Sequence, residues 1–199
     1  RNEAAICFDY EALWALKMKP ANSEYHDYIS YEARFFNLLA KSGIGADVVS
    51  FEADLSKYKM VIVPTAFVMS RKIQQKLADY CKNGGTLLAT FLTSVKDEYN
   101  TGYTDTLPAG LTEVFGVTVE EVDPVYGENH TKLCLQLDKG KEYITQDGIW
   151  SELLGGDARA IAVYTEDYKK GSKVIGRHAY GQGTAIYLGT DLPDEAMRE

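Results

Sequence analysis

Residues 60–91 read MVIVPTAFVMSRKIQQKLADYCKNGGTLLATF. Met60 to Val63 is a short apolar run stopped by Pro64, which cannot donate to a sheet ladder, so it reads as a buried strand. Ser70 has the character of an N-cap. Ile73, Leu77 and Tyr80 or Cys81 recur at helical spacing until Gly84-Gly85 ends the helix, and Thr86 to Phe91 supplies a second apolar strand. A strand, a helix and a strand with short connections make a parallel unit with a right-handed crossover.

The same alternation extends upstream. Ala4 to Phe8 is an apolar run ending in Asp9, the pattern of a buried first strand. Ile29, Ala33, Phe36 and Leu39 or Ala40 recur at i, i+4, i+7 and i+10 or i+11, with Gly43 as a C-cap, which predicts an amphipathic helix from about Ser23 to Ser42. Ala46 to Phe51 reads as another strand. The expected fold is α/β: a flavodoxin-like, doubly wound, mainly parallel sheet. Beyond residue 116 the pattern changes, and Val117–Val122, Lys132–Leu137, Arg159–Tyr164, Lys173–Tyr180 and Thr184–Leu188 are strand-like. Gly181-Gln182-Gly183 is a hairpin turn between the last two, so the C-terminal half is expected to add antiparallel strands. No internal repeat or linker divides the chain, and residues 1–199 read as one domain. A start at Arg1, just before a strand, reads as a domain taken from a longer polypeptide.

Composition narrows the function classes. The 199 residues are 45% apolar and 25% charged, the balance of an ordinary globular protein. Twenty-nine acidic against 21 basic residues give a net charge of −8, so the surface repels phosphate backbones and nucleic acid is not an expected partner. No apolar run approaches the roughly 20 residues of a membrane span, and the expected location is cytoplasmic. Cys7, Cys81 and Cys134 are odd in number and form no C-x-x-C pair, so they read as reduced core thiols.

Candidate chemistry begins with carboxylates. Asp9 and Glu11 follow the first strand, and Asp97 and Glu98 lie in the polar loop after Phe91; both pairs sit at strand ends, where α/β sheets place ligands. Glu120 and Glu121 lie within a strand whose alternation turns them to opposite faces. Such acids cap helices, face solvent, meet a partner surface or form a catalytic dyad, and adjacent side chains such as Asp97 and Glu98 rarely straddle a substrate. No G-x-S-x-G elbow exists, Ser94 lacks flanking glycines, and His26, His130 and His178 make no metal spacing. No glycine loop joins a strand to a helix N-terminus, so no phosphate cofactor is expected. Phe8, Tyr10, Trp14, Tyr25, Tyr28 and Tyr31 cluster at and after the end of the first strand. Such rings serve interfaces, cores or sugar stacking.

The segment Ile6-Cys7-Phe8-Asp9-Tyr10-Glu11-Ala12-Leu13-Trp14-Ala15-Leu16 resembles the opening of the trimerisation domain of family 42 glycoside hydrolases, the β-galactosidases. The likeness continues in order through Asp54-Leu55-Ser56-Lys57-Tyr58-Lys59, Val61 to Pro64, Tyr80 to Thr86, Leu107 to Leu111, Phe115-Gly116-Val117, Glu120 to Pro124 and Gly181 to Thr190. It departs at Ser94-Val95-Lys96, where the family more often has Gly and an acid. The resemblance implies a class I glutamine amidotransferase-like three-layer sandwich without its nucleophile. It implies no catalytic, cofactor or metal residue in this chain. In the implied parent, a retaining β-galactosidase, an N-terminal (β/α)8 barrel carries both catalytic glutamates and alone binds galactoside. This domain follows the barrel, ahead of a small C-terminal β domain, holding a homotrimer and walling a neighbour's active site. The residues expected at the subunit contact are Asp9, Tyr10, Glu11, Trp14, Tyr25, Tyr28, Asp97 and Glu98. The competing reading is an independent amidotransferase-like enzyme or carbohydrate-binding protein.

Overall fold

The computed structural model describes residues 2–18 and 27–198. Its first half holds strands β1 (Ala4–Cys7), β2 (Ala46–Val49), β3 (Met60–Val63) and β4 (Thr86–Thr90), with helices α1 (Tyr10–Met18), α2 (Tyr28–Lys41) and α3 (Arg71–Lys82). The strands run parallel in the order β2-β1-β3-β4. Successive residues of a strand face opposite sides, and the two cores follow from that. Ile6, Ile62 and Leu88 pack with Leu13, Leu16, Tyr31 and Phe35 of α1 and α2. Ala5, Cys7, Val61 and Val63 pack with Leu77, Ala78 and Cys81 of α3.

The second half holds α4 (Thr112–Phe115), β5 (Thr118–Pro124), β6 (Lys132–Gln136), β7 (Glu142–Gln146), β8 (Trp150–Gly155), β9 (Arg159–Tyr164), β10 (Lys173–Tyr180) and β11 (Gly183–Leu188). Strand β11 pairs parallel with β4 on one side and antiparallel with β10 on the other. From β10 the sheet continues through β9 and β6 to β7, while β8 branches from β10 to β5. Of the ten pairings, four are parallel and six antiparallel. The sheet is therefore mixed rather than mainly parallel: β7 and β8, two antiparallel strands that the sequence reading did not single out, add to the antiparallel strands of the second half.

Helix α2 corrects the expectation drawn from its apolar stripe. Asp27 is its extended N-cap, with a side chain that accepts from Ser30 N, so the helix starts at Tyr28; residues 23–26 of the expected span lie outside the described residues. Its buried face is Tyr28, Tyr31, Glu32, Phe35 and Leu38, while Ile29, Ala33, Phe36 and Ala40 are exposed. The alternation expected across Glu120 and Glu121 is interrupted by a register shift between Val119 and Glu121, and both glutamates are exposed. The three cysteines are buried and free, and burial pushes the Cys7 thiol up to about 12. No helix among the described residues is long and apolar enough to cross a membrane.

Four buried charged side chains among the described residues, Lys169, Asp147, Glu152 and Glu32, shape the interior. Lys169, between β9 and β10, donates to Asp123 Oδ2 at 2.8 Å and Ser151 Oγ at 3.0 Å, and stands 3.5 Å from Asp147 Oδ2. Glu152 of β8 accepts from Leu92 N at 2.8 Å and from the Tyr187 hydroxyl at 2.9 Å. Glu32 is buried with no hydrogen-bond partner at either oxygen.

Burial pushes the Glu32 carboxyl up to about 9, aided by Asp9 and opposed by the Tyr28 hydroxyl. Its folded value lies above the ordinary 4.5, so the folded chain holds a proton that the unfolded chain has released between those pH values. Stability from this group is complete below the unfolded value and is lost as pH rises towards 9. Glu32→Leu is expected to raise the unfolding free energy by about 2–4 kcal/mol more at pH 8 than at pH 4. Urea titrations at the two pH values measure this, and equal effects at both would exclude the carboxyl as the cause.

Candidate interaction site at the end of the first strand

The first strand leaves the sheet at Phe8 and turns at once into α1. Asp9 makes that turn: its two carboxylate oxygens accept from Glu11 N at 3.1 Å and Ala12 N at 3.3 Å, satisfying donors that a helix start leaves free. Burial pushes the Asp9 carboxyl up, and the two amide hydrogen bonds pull it back. Asp9 N in turn donates to the Tyr28 hydroxyl at 3.2 Å.

Aromatic rings run from the core to the surface along this turn. Phe8 meets Tyr28 at 5.5 Å and Tyr10 edge-on at 4.9 Å, and Tyr10 meets Trp14 at 5.9 Å. Tyr28 is only 2% exposed, which corrects its place among the surface candidates: its ring packs in the core and its hydroxyl braces the turn. Tyr10, Trp14 and Met18 are 62%, 59% and 70% exposed. Their i, i+4, i+8 spacing sets them along one face of α1, while Ala12, Leu13, Ala15 and Leu16 are buried. Tyr25 lies outside the described residues.

The carboxylates converge only in part. Asp9, Glu11 and Glu98 line one cavity of about 380 Å³ at the carboxyl ends of β1 and β2, with Glu52, Phe8 and Phe51. No His, Cys, Lys or Arg is among the described residues that line it. Asp97 is turned to another task, its Oδ1 accepting from Tyr99 N at 3.0 Å and Thr101 N at 2.8 Å to hold the loop. Glu52 and Met18 belong to this surface without having been singled out from the sequence. Met18 was legible only by reading residues 10–18 as a helix, which their all-round apolar character obscures.

The segment that would carry an amidotransferase nucleophile is closed. Leu92 and Ser94 have left-handed backbones, at φ 57° and 56°, and both are buried. The Ser94 hydroxyl donates to Ala109 O and accepts from Gln74 Nε2, each at 2.9 Å. His178 Nδ1 lies 3.0 Å from Val114 O, and His130 lies 3.6 Å from Asp147. A larger cavity, about 670 Å³, sits at the opposite strand ends near Gly84, Gly85 and Thr86 and gathers none of the candidate residues. Its Lys76 is tied to the carbonyls of Phe51 and Ala53. The first-strand site therefore presents exposed aromatic rings beside an acid-rimmed cavity.

The family described as "Beta-galactosidase trimerisation domain" matches residues 2–199. The chain is 31% identical over 190 residues to the β-galactosidase BgaA of Clostridium cellulovorans, covering 95% of this chain and 28% of that protein. Against the β-galactosidase LacZ of Lactobacillus acidophilus it is 26% identical over 198 residues, covering 99% and 29%. The solved β-galactosidase of Bacillus circulans sp. alkalophilus superposes with a TM-score of 0.94 at 27% identity, over 99% of this chain and 30% of that one. The chain thus spans less than a third of the proteins it matches. With that match over nearly its whole length, the chain belongs to the β-galactosidase trimerisation domain family.

Proposed function

We propose that residues 1–199 form the assembly domain of a longer, cytoplasmic β-galactosidase and hold three copies of it in a ring. In this reading an N-terminal (β/α)8 barrel carries the catalytic glutamates and hydrolyses terminal β-D-galactosides. A small C-terminal β domain follows. This chain contributes contacts rather than catalysis and walls a neighbour's active site. The parallel order β2-β1-β3-β4, with helices on both faces, supports a flavodoxin-like core of the amidotransferase-like kind. That the chain covers only 28% and 29% of the matched β-galactosidases supports the larger protein.

The observation that carries the assembly role is the exposed Tyr10, Trp14 and Met18 face of α1 beside a cavity rimmed by Asp9, Glu11, Glu52 and Glu98. Aromatic anchors with a polar rim are the makings of a protein interface. In the full-length polypeptide, Tyr10→Ala with Trp14→Ala is expected to raise the dissociation constant of the trimer by about 100-fold or more. Light scattering across a dilution series reads this directly, and an undiminished trimer at every concentration would sink the assignment.

A further inference from the structure

We infer that Glu32 is a proton lock beneath the first-strand turn: while its carboxyl carries a proton the turn stays closed over it, and loss of that proton opens the turn and frees α1. The inference goes beyond the assembly reading and does not depend on it.

The lock is built where three elements meet. Cys7 ends β1, Asp9 makes the turn into α1, and Tyr28 opens α2. Glu32 follows Tyr28 by one helical turn on the same buried face of α2 and is only 5% exposed. Neither of its oxygens has a hydrogen-bond partner among the described residues. The ionisable groups that face it are Asp9 from the turn, Cys7 from β1, and Tyr28 and Tyr31 from its own helix. None of these is a cation, and the buried residues of α1 are all apolar: Ala12, Leu13, Ala15 and Leu16. Neighbouring cations are committed elsewhere. Arg34 is bound to Asp191 and Asp194, and Lys76, which acts on Cys7, is tied to the carbonyls of Phe51 and Ala53.

A carboxylate with neither donor nor cation is costly to bury, so the closed form holds the proton. The same burial, with the Asp9 charge adding to it, is what pushes this carboxyl up to about 9. Water at an opened turn removes both causes. Opening therefore releases a proton, and the closed population falls as pH rises from the open value towards the closed one.

The turn is the part that gives way. The Tyr28 hydroxyl braces it by accepting from Asp9 N at 3.2 Å, and the Asp9 carboxylate in turn holds Glu11 N and Ala12 N. A negative Glu32 would set two carboxylates against each other around that hydroxyl. Helix α1 has nine residues and buries two leucines and two alanines, so little apolar contact holds it once the turn lets go. Helix α2 has 14 residues, is capped by Asp27 and is clamped by Arg34.

Hydrogen exchange of the full-length polypeptide, followed by mass spectrometry at pH 6, 7 and 8 and corrected for intrinsic rates, tests the lock. Protection of peptides within residues 9–18 is expected to lie about 100-fold or more below that of β3, the mark of local opening. It is expected to fall about tenfold per pH unit, the slope of one released proton. In Glu32→Gln, which has no proton to release, the corrected protection of α1 should not change with pH. Glu32→Leu repeats the reading if the glutamine variant does not fold. A flat profile in the parental protein, or the parental slope retained in a folded variant, would overturn the inference. So would equal protection of α1 and β3, which would show that Glu32 meets water only when the whole domain unfolds.

Discussion

Lys169→Met is expected to lower the unfolding free energy by about 3–5 kcal/mol at pH 7, because removing one partner of a buried ion pair strands the other. Lys169 and Asp147 are both buried, and Asp123 is partly so. The ammonium has three protons and three acceptors within reach: Asp123, Ser151 and Asp147. Asp147 also accepts from Thr131 N at 2.8 Å. Burial already pushes its carboxyl up, and the Thr131 amide and Lys169 oppose that rise. Without the cation Asp147 rises further and takes up a proton more readily, so the loss should be smaller at pH 5 than at pH 8.

For a domain of this size, about 2–4 °C accompanies each kcal/mol, so the melting temperature should fall by roughly 6–20 °C. The double variant Lys169→Met with Asp147→Asn should recover much of the loss, since asparagine keeps an acceptor for Thr131 N and removes the stranded charge. Calorimetry of the parental, single and double proteins measures the coupling. A double variant less stable than Lys169→Met would show that the charge left on Asp147 is not the source of the loss.

Glu152→Leu is expected to cost about 2–5 kcal/mol, the sum of two buried donors left without acceptors. Leu92 N and the Tyr187 hydroxyl both end on this carboxylate. The contact ties the turn after β4 to β8 and β11. Glu152→Gln keeps one acceptor oxygen and should cost about half as much. Burial pushes the carboxyl up to about 7 from 4.5, against the pull of Leu92 N and Tyr187. The folded chain therefore holds a proton that the unfolded chain releases over that interval. Stability falls as pH rises from 4.5 to 7. Glu152→Gln removes that slope, so its cost relative to the parental protein should shrink as pH rises. A cost independent of pH across the interval would rule out titration of Glu152 as its origin.

Local pattern exposed the strands and helices whose signals are self-contained. Pro64, Ser70 and Gly84-Gly85 punctuate the unit from β3 to β4, and Gly181-Gln182-Gly183 turns β10 into β11. The face of α2 was not legible in the same way. Tyr28, Tyr31, Phe35 and Leu38 recur at helical spacing as well as Ile29, Ala33, Phe36 and Ala40 do, and periodicity cannot rank two apolar stripes on one helix. α1 was hidden for a related reason, since exposed Tyr10, Trp14 and Met18 interleave with buried Ala12, Leu13, Ala15 and Leu16. At the site, Asp9, Glu11 and Glu98 were legible as acids at strand ends, whereas Glu52 joins them only through the placement of β2 beside β1. The Lys169 hub draws on residues 123, 147, 151 and 169, which no spacing rule connects.

Strand β11 has a consequence for how the chain is made. It is the last strand in sequence, yet it sits between β4, about a hundred residues earlier, and β10, its hairpin neighbour. During synthesis the parallel strands emerge first, and the edge of β4 stays open until residues 183–188 have left the ribosome. Long-range closure of this kind is slow and leaves an unpaired strand exposed. A polypeptide interrupted before Gly183 would keep nearly every strand and lack the one that joins the two halves.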